Sequence, residues 1–229
     1  MGVGQTNHWY MGGMDRNKSI AFYFDIVNTE ALQPHHKVHL QFKTTYQHVN
    51  GTKRLRVTTV QRLMTNPDDL REMAYGFDQE TAAVLLSRYS IFKTFSEDSS
   101  DVIRWLDRML IKLVARFAEY KKDDPKSFKL SKEFSLFPQF MFYLRRSPFL
   151  QTFNASPDES QYYVSLFMRE NVSNSLVMIQ PAMMSYDLES EQATPVLLDV
   201  QSMKNNVILL LDTFFYICIW KGDTIDKWE

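Results

Sequence analysis

The spacing of apolar side chains changes twice along this chain, and that double change limits the fold more than any other feature. Up to about Leu63 apolar and polar residues alternate, the two-residue period of a half-buried strand. From Asn66-Pro67-Asp68-Asp69 the spacing becomes helical. That tetrapeptide combines a capping side chain, a proline whose missing N–H costs nothing in a first turn, and acidic groups for the positive helix end. Short runs rich in β-formers return after about Asn174. The order strands, helices, strands predicts an α+β protein with boundaries near residues 1–64, 65–174 and 175–229.

In the first stretch, Asn50-Gly51 suits a two-residue type I′ turn, which needs φ > 0 at both positions. Pairing outward from it sets Tyr46 opposite Leu55, Thr44 opposite Val57, Phe42 opposite Thr59, Gln47 opposite Arg54 and Thr45 opposite Arg56. Leu40, Phe42, Tyr46, Leu55 and Val57 then share a buried face and the arginines a wet one. The basic run Lys53-Arg54-Leu55-Arg56 is on this reading first a strand pattern, with an electrostatic footprint on an anionic surface as the second reading. Ser19–Asn28 alternates as a third strand, with Ile20, Phe22 and Phe24 on one face.

Helices are expected from Gln79, with Ala82, Leu85, Leu86 and Tyr89 in register, and from Ser99-Ser100-Asp101, with Ile103, Leu106, Leu110, Leu113 and Phe117 as the apolar stripe. Ser156-Pro157-Asp158-Glu159 is a capping box opening a helix that buries Tyr163, Leu166 and Phe167. Phe134–Leu150 is an aromatic core segment broken by Pro138 and Pro148. Three later runs, Ser175–Gln180, Pro195–Val200 and the buried Val207–Trp220, are expected to be strands, and Lys221-Gly222-Asp223 a turn.

Composition removes several functions. A net charge of −1 is unsuited to nonspecific nucleic-acid binding, which needs many phosphate-neutralising cations. Cys218 is the single cysteine, so there is no internal disulfide and no cysteine-based zinc site, and its apolar neighbours mark it as core filling. No secretory signal opens the chain, and no phosphate loop or nucleophile elbow is present. His35, His36 and His39 lack a nearby carboxylate to complete a metal site, and Asp212 fits a carboxylate that accepts backbone N–H groups. One surface pattern remains. Arg104, Arg108, Lys112 and Arg116 repeat at i+4 opposite the stripe of the long helix, partly offset by Asp107 and Glu119, with Arg145 and Arg146 close in sequence. A solvated face and a contact surface for an acidic partner or membrane are the two readings.

"FDQETAAVLLSR" (residues 77–88), "DVIRWLDRMLIKL" (101–113), "KDDPKSFKLSKEFSLFPQFMFYLRRSPFLQTFNASPDES" (122–160), "MIQP" (178–181), "VLLD" and "LLLDTFFYICIWKGDTIDKW" together resemble the Sec twenty-three subunit of the COPII vesicle coat. The resemblance implies a partial antiparallel β-sandwich, then a helical domain, then the first strands of a gelsolin-like lobe. It implies an inner-layer coat component in endoplasmic reticulum to Golgi transport, cytoplasmic and peripheral on the membrane. The family activates a Sar-type small GTPase through an arginine supplied in trans and is not itself an enzyme. Its partners are that GTPase, a cargo-selecting sister subunit and the outer coat. No arginine here matches the activating one, and no cofactor is implied, since the family's zinc finger has no counterpart in this sequence. The expected catalytic and metal sets are therefore empty. The partner-contact candidates are Arg104, Arg108, Lys112, Arg116, Arg145 and Arg146, and Lys53, Arg54 and Arg56 are candidates for an anionic membrane surface. A shortened, non-activating docking paralogue is the alternative.

Overall fold

The computed structural model describes residues 7–16, 18–24, 33–151, 155–187, 190 and 192–227. The chain forms two compact units, one of residues 22–77 and one of residues 1–21 with 78–229.

The first unit is built on β1 (Lys37–Gln47) and β2 (Lys53–Leu63), an antiparallel hairpin. Its register differs by one residue from the one expected. Tyr46 lies opposite Arg54, Thr44 opposite Arg56, Phe42 opposite Thr58 and Leu40 opposite Val60. The turn explains the shift. Of the two central residues only Gly51 has positive φ, at +82°, while Gly51 N–H bonds the His48 carbonyl at 2.9 Å and His48 N–H bonds that of Thr52 at 2.9 Å. This is a three-residue loop ending in a left-handed glycine, and a type I′ turn would also have required positive φ at Asn50. Asn50 serves otherwise, its Oδ1 accepting from Thr52 N–H at 3.1 Å. A one-residue slip exchanges faces. Arg54, Arg56 and Arg62 therefore share a face with Phe42 and Tyr46, and Leu55 and Val57 stand on the other, exposed.

Phe22 stacks on Phe42 with centroids 5.2 Å apart, but residues 19–24 form no strand, and Asp25–Asn28 of the expected third strand lie outside the described residues. The unit ends in α1 (Leu70–Tyr75), which starts one turn later than Asn66. Asp69 is its cap, accepting from the N–H groups of Arg71 and Glu72, while Asn66 turns the chain before it by accepting from Asp68 N–H at 3.0 Å.

The second unit holds α2 (Gln79–Thr94), α3 (Ser99–Phe117), a hairpin of β3 (Glu119–Lys121) and β4 (Asp124–Lys129), then α4 (Phe137–Leu144), α5 (Pro157–Arg169) and α6 (Val172–Ile179). α2 is the central helix and packs on α3, α4, α5 and α6. It buries Ala83, Val84, Ser87, Ser90 and Ile91, a face turned from the expected one, on which Ala82, Leu85 and Leu86 are half-buried and Tyr89 is exposed. Small residues on that face let the neighbouring helices approach, and Ser87 Oγ bonds back to the Ala83 carbonyl at 2.6 Å. Of the expected stripe α3 fully buries only Leu106, together with Val102, which that stripe left out, while Ile103, Leu110, Leu113 and Phe117 are half-buried. Phe134, Phe137, Phe140, Met141, Leu144, Phe149 and Leu150 fill the core, so Pro138 opens α4 rather than breaking it. The Ser156 cap holds, with Oγ accepting from Glu159 N–H at 3.2 Å.

Ser175–Gln180 is not a strand. Asn171 caps α6 by accepting from Asn174 N–H at 2.9 Å, and Ser175, Met178 and Ile179 are buried at helical spacing. Tertiary packing overrides the β preference of the run. The strand lies just beyond, as β5 (Ala182–Asp187). Pro195–Val200 contributes only Pro195, paired through β6 (Thr194–Pro195). Val207–Trp220 is two strands, β7 (Val207–Asp212) and β8 (Ile217–Lys221), separated by a tight turn in which Phe214 has φ +69°. Asp212 Oδ1 accepts from Phe214 N–H at 2.8 Å, the backbone role expected of it. The sheet is antiparallel throughout, in the order β6-β5-β7-β8. Gly222 ends it and leads into α7 (Asp223–Asp226). A Cβ there would lie 2.3 Å from the Asn205 carbonyl oxygen.

The turn between β7 and β8 fastens this sheet to the helices. Phe215 packs 4.5 Å from Tyr163 and 6.5 Å from Phe149, which in turn lies 4.7 Å from Phe167. The Tyr163 hydroxyl bonds Tyr216 at 3.0 Å and Glu159 at 2.8 Å. The Tyr216 bond, the Glu159 carboxylate and burial push the Tyr163 phenol above the ordinary tyrosine range. The apolar position assigned to Cys218 is corrected too: it is exposed on the outermost strand.

Candidate partner-contact face on the long helix

α3 carries the basic ridge because its period places every fourth residue on one side, about 6 Å apart along the axis. Arg104, Arg108, Lys112 and Arg116 are all exposed. Arg104 pairs with Asp101 one turn earlier on the same face. Arg108 and Lys112 enter no ion pair among the described residues, and Ile111 stands exposed beside them. An unpaired pair of cations flanked by an exposed aliphatic side chain can receive a carboxylate or phosphate and an apolar contact together.

The two arginines after α4 behave differently from each other. Arg145 reaches α3, its Nε 3.1 Å from Asp107 Oδ1, so its charge is matched and Asp107 is withdrawn from offsetting the ridge. Arg146 stays with its own helix, stacked 3.7 Å over Phe142 and donating to the Phe142 carbonyl at 3.2 Å. Glu119, the other expected counter-charge, lies in β3 opposite Lys129. On the hairpin, Arg54 and Arg56 share one face and Lys53 stands on the other, so the three do not form one cationic surface. Among the histidines, His39 Nε2 lies 3.1 Å from Gln61 Oε1 across the strands. The described residues contain no group of three or more metal-ligating side chains, and no described helix is long and apolar enough to cross a membrane.

One arginine without a place in the charge pattern is central. Arg88, on α2, donates through Nε to the Phe167 carbonyl at 3.2 Å, through Nη2 to the Glu170 carbonyl and to Ser175 Oγ at 3.3 Å, and through Nη1 to Ser19 Oγ at 3.1 Å. It satisfies carbonyls at the end of α5, ties α6 to α2 and anchors Ser19, whose N–H bonds the Arg169 carbonyl at 3.0 Å. A lone arginine beside small residues on an otherwise buried helix face was the available signal. A second cluster, Lys93 at 5.3 Å from the Trp105 ring and paired with Glu97 at 2.6 Å, joins α2 to α3. An open groove of about 420 Å³ beside β5 and β6 has lining charges of both signs, Asp187 and Asp199 against Lys204, and favours no single ligand.

The comparisons with known proteins agree with this architecture. Two family models match, the Sec23/Sec24 beta-sandwich domain over residues 1–65 and the Sec23/Sec24 helical domain over residues 78–177. The chain belongs to the Sec23/Sec24 family, whose members are components of the COPII vesicle coat. Among solved structures, it is similar to human COPII-coat protein Sec24c, with a TM-score of 0.71 at 16% identity. The match covers 82% of this chain and 24% of that one, so this chain spans about a quarter of that protein's length. At such identity the likeness is one of fold.

Proposed function

We propose that this chain acts in the inner layer of the COPII coat during endoplasmic reticulum to Golgi transport, in the manner of the Sec twenty-three subunit, as a docking component at the cytoplasmic membrane surface. The reading rests on the helical-domain match over residues 78–177, which includes the exposed ridge of α3. Its partners on this reading are a Sar-type small GTPase, the cargo-selecting sister subunit and the outer coat, with Arg108 and Lys112 supplying the ridge's available charge. No nucleic acid and no cofactor take part.

Single-turnover GTP hydrolysis by a Sar-type GTPase, with and without the folded chain, tests the catalytic half of the proposal. Unchanged hydrolysis together with saturable, salt-sensitive binding to coat subunits is expected, and charge reversal at Arg108 and Lys112 should weaken that binding. Strong acceleration would mean that this chain supplies its own activating arginine or orders the GTPase unaided. Absence of binding to any coat component would overturn the docking role.

A further inference from the structure

Ser19 stands three residues before the chain enters the first unit at Phe22, and it is held against the end of α5. Its hydroxyl donates to the Glu170 carbonyl at 2.7 Å and lies 3.2 Å from the Arg169 carbonyl, while its Oγ accepts from Arg88 Nη1 at 3.1 Å. Its N–H bonds the Arg169 carbonyl at 3.0 Å. Residues 18–24 form neither helix nor strand, so a side-chain anchor matters more there than within a ladder. Arg16 lies three residues ahead of Ser19 and Lys18 one residue ahead. Serine kinases that select substrates by charge read an arginine at that spacing on a segment outside regular structure. Ser175, the other hydroxyl on Arg88, lacks both features: it is fully buried within α6, and Val172 stands three residues ahead of it.

We propose that Ser19 is a phosphorylation site and that its modification releases this segment from the end of α5. The γ-phosphoryl group of a nucleoside triphosphate passes to Ser19 Oγ, the bond to the leaving nucleoside diphosphate breaks, and the hydroxyl proton goes to the kinase's base. The hydrogen that bonded the Glu170 carbonyl is then gone. A group of about −1.5 to −2 charge takes its place, facing two carbonyl oxygens that lie 2.7 and 3.2 Å from Oγ and leave no room for a phosphorus atom between. The carboxylate of Glu170, itself buried and held by Asn174 Nδ2 at 2.9 Å, adds like charge on the same residue. Arg88 touches Oγ through Nη1, but its Nε and Nη2 already serve the Phe167 and Glu170 carbonyls. Turning its fork to the phosphate would leave those helix-end acceptors without their charged donor. The inference stands independently of the proposed coat role.

The test incubates the whole chain with ATP and an arginine-directed serine kinase, maps phosphate by mass spectrometry and follows backbone hydrogen exchange at Ser19. Ser19 should take up phosphate, and Arg16→Ala should slow that uptake by about tenfold or more. In the modified chain the Ser19 amide, now bonded to the Arg169 carbonyl, should exchange about tenfold faster or more. Helical circular dichroism should be retained, because Ser19 is not among the residues that fill the core. Ser19→Ala, which keeps the N–H and adds no charge, should speed exchange less than phosphate does. Absence of phosphate at Ser19 overturns the inference. So does phosphate that leaves exchange unchanged or slower, since Arg88 would then have received the dianion in place, and so does Ser19→Ala matching the modified chain, since loss of the hydroxyl alone would then release the segment.

Discussion

Helices α2 to α6 bury aromatic and aliphatic side chains against one another, whereas hairpin β1–β2 has no fully buried residue on either strand. The hairpin has the longer ladder, eleven residues in each strand. Backbone pairing alone adds little net stability, because folding exchanges water bonds for ladder bonds, and a two-stranded ribbon is marginal without a packed face. The difference teaches that stability in this chain resides in the helical core, where area is removed from water, and that the hairpin is the part most responsive to local turn chemistry.

The sharpest way to break the comparison is at Phe167, fully buried between Phe149 and the Arg88 guanidinium. Phe167→Ala should cost about 3–5 kcal/mol, seen as a lower urea midpoint for helix unfolding by circular dichroism. Next is Arg88→Met, which keeps the aliphatic stem and removes the guanidinium donors to the Phe167 and Glu170 carbonyls and to Ser19 and Ser175, while the Glu170 carbonyl keeps the Ser19 hydroxyl at 2.7 Å. Removing these charged, part-buried hydrogen bonds should cost about 2–3 kcal/mol. If Arg88→Met were neutral, the hydrogen-bonded bolt would be incidental to packing. A smaller effect, about 1 kcal/mol, is expected from Asp78→Ala, which removes the α2 cap. The Asp78 carboxylate is held below the usual aspartate range by the Thr81 hydroxyl at 2.7 Å and the N–H groups of Thr81 and Glu80, both at 3.1 Å. Since its folded pKa is the lower one, its contribution is present above the unfolded pKa, about 3.9, and disappears as pH falls through the folded value. The gap between wild type and variant in acid titrations should therefore close below about pH 4.

Although the side-chain caps of α1 at Asp69 and of α6 at Asn171 were missed, the start of α5 was legible at Ser156, because such a cap acts within three residues and needs nothing from the rest of the chain. The α+β order was legible for the same reason. Ser175–Gln180 was misread because its β-forming residues are overruled by the fit of Met178 and Ile179 into the helical core, which no local window contains. Val207–Trp220 was misread because its turn is built from Thr213, Phe214, Phe215 and Tyr216, three of them aromatic, and aromatic residues carry no turn signal. The ridge on α3 was legible from spacing. The removal of Arg145 from it by Asp107 was not, since that pairing joins two helices far apart in sequence.

The smallest expected effect decides the most about the hairpin. In the register with a two-residue turn, Leu55 would sit opposite Tyr46 on the buried face, and replacing it would cost about 2–3 kcal/mol, the transfer energy of a buried leucine. In the observed register Leu55 lies opposite Thr45 and is 64% exposed. Leu55→Thr preserves strand preference while removing apolar bulk, and it should change stability by no more than about 0.5 kcal/mol. The companion change Phe42→Thr, on the face that carries the Phe22 contact, should cost more than Leu55→Thr. Equal costs at the two positions, or the reverse order, would mean that the left-handed glycine at Gly51 does not set the register and that the faces of the hairpin are exchanged.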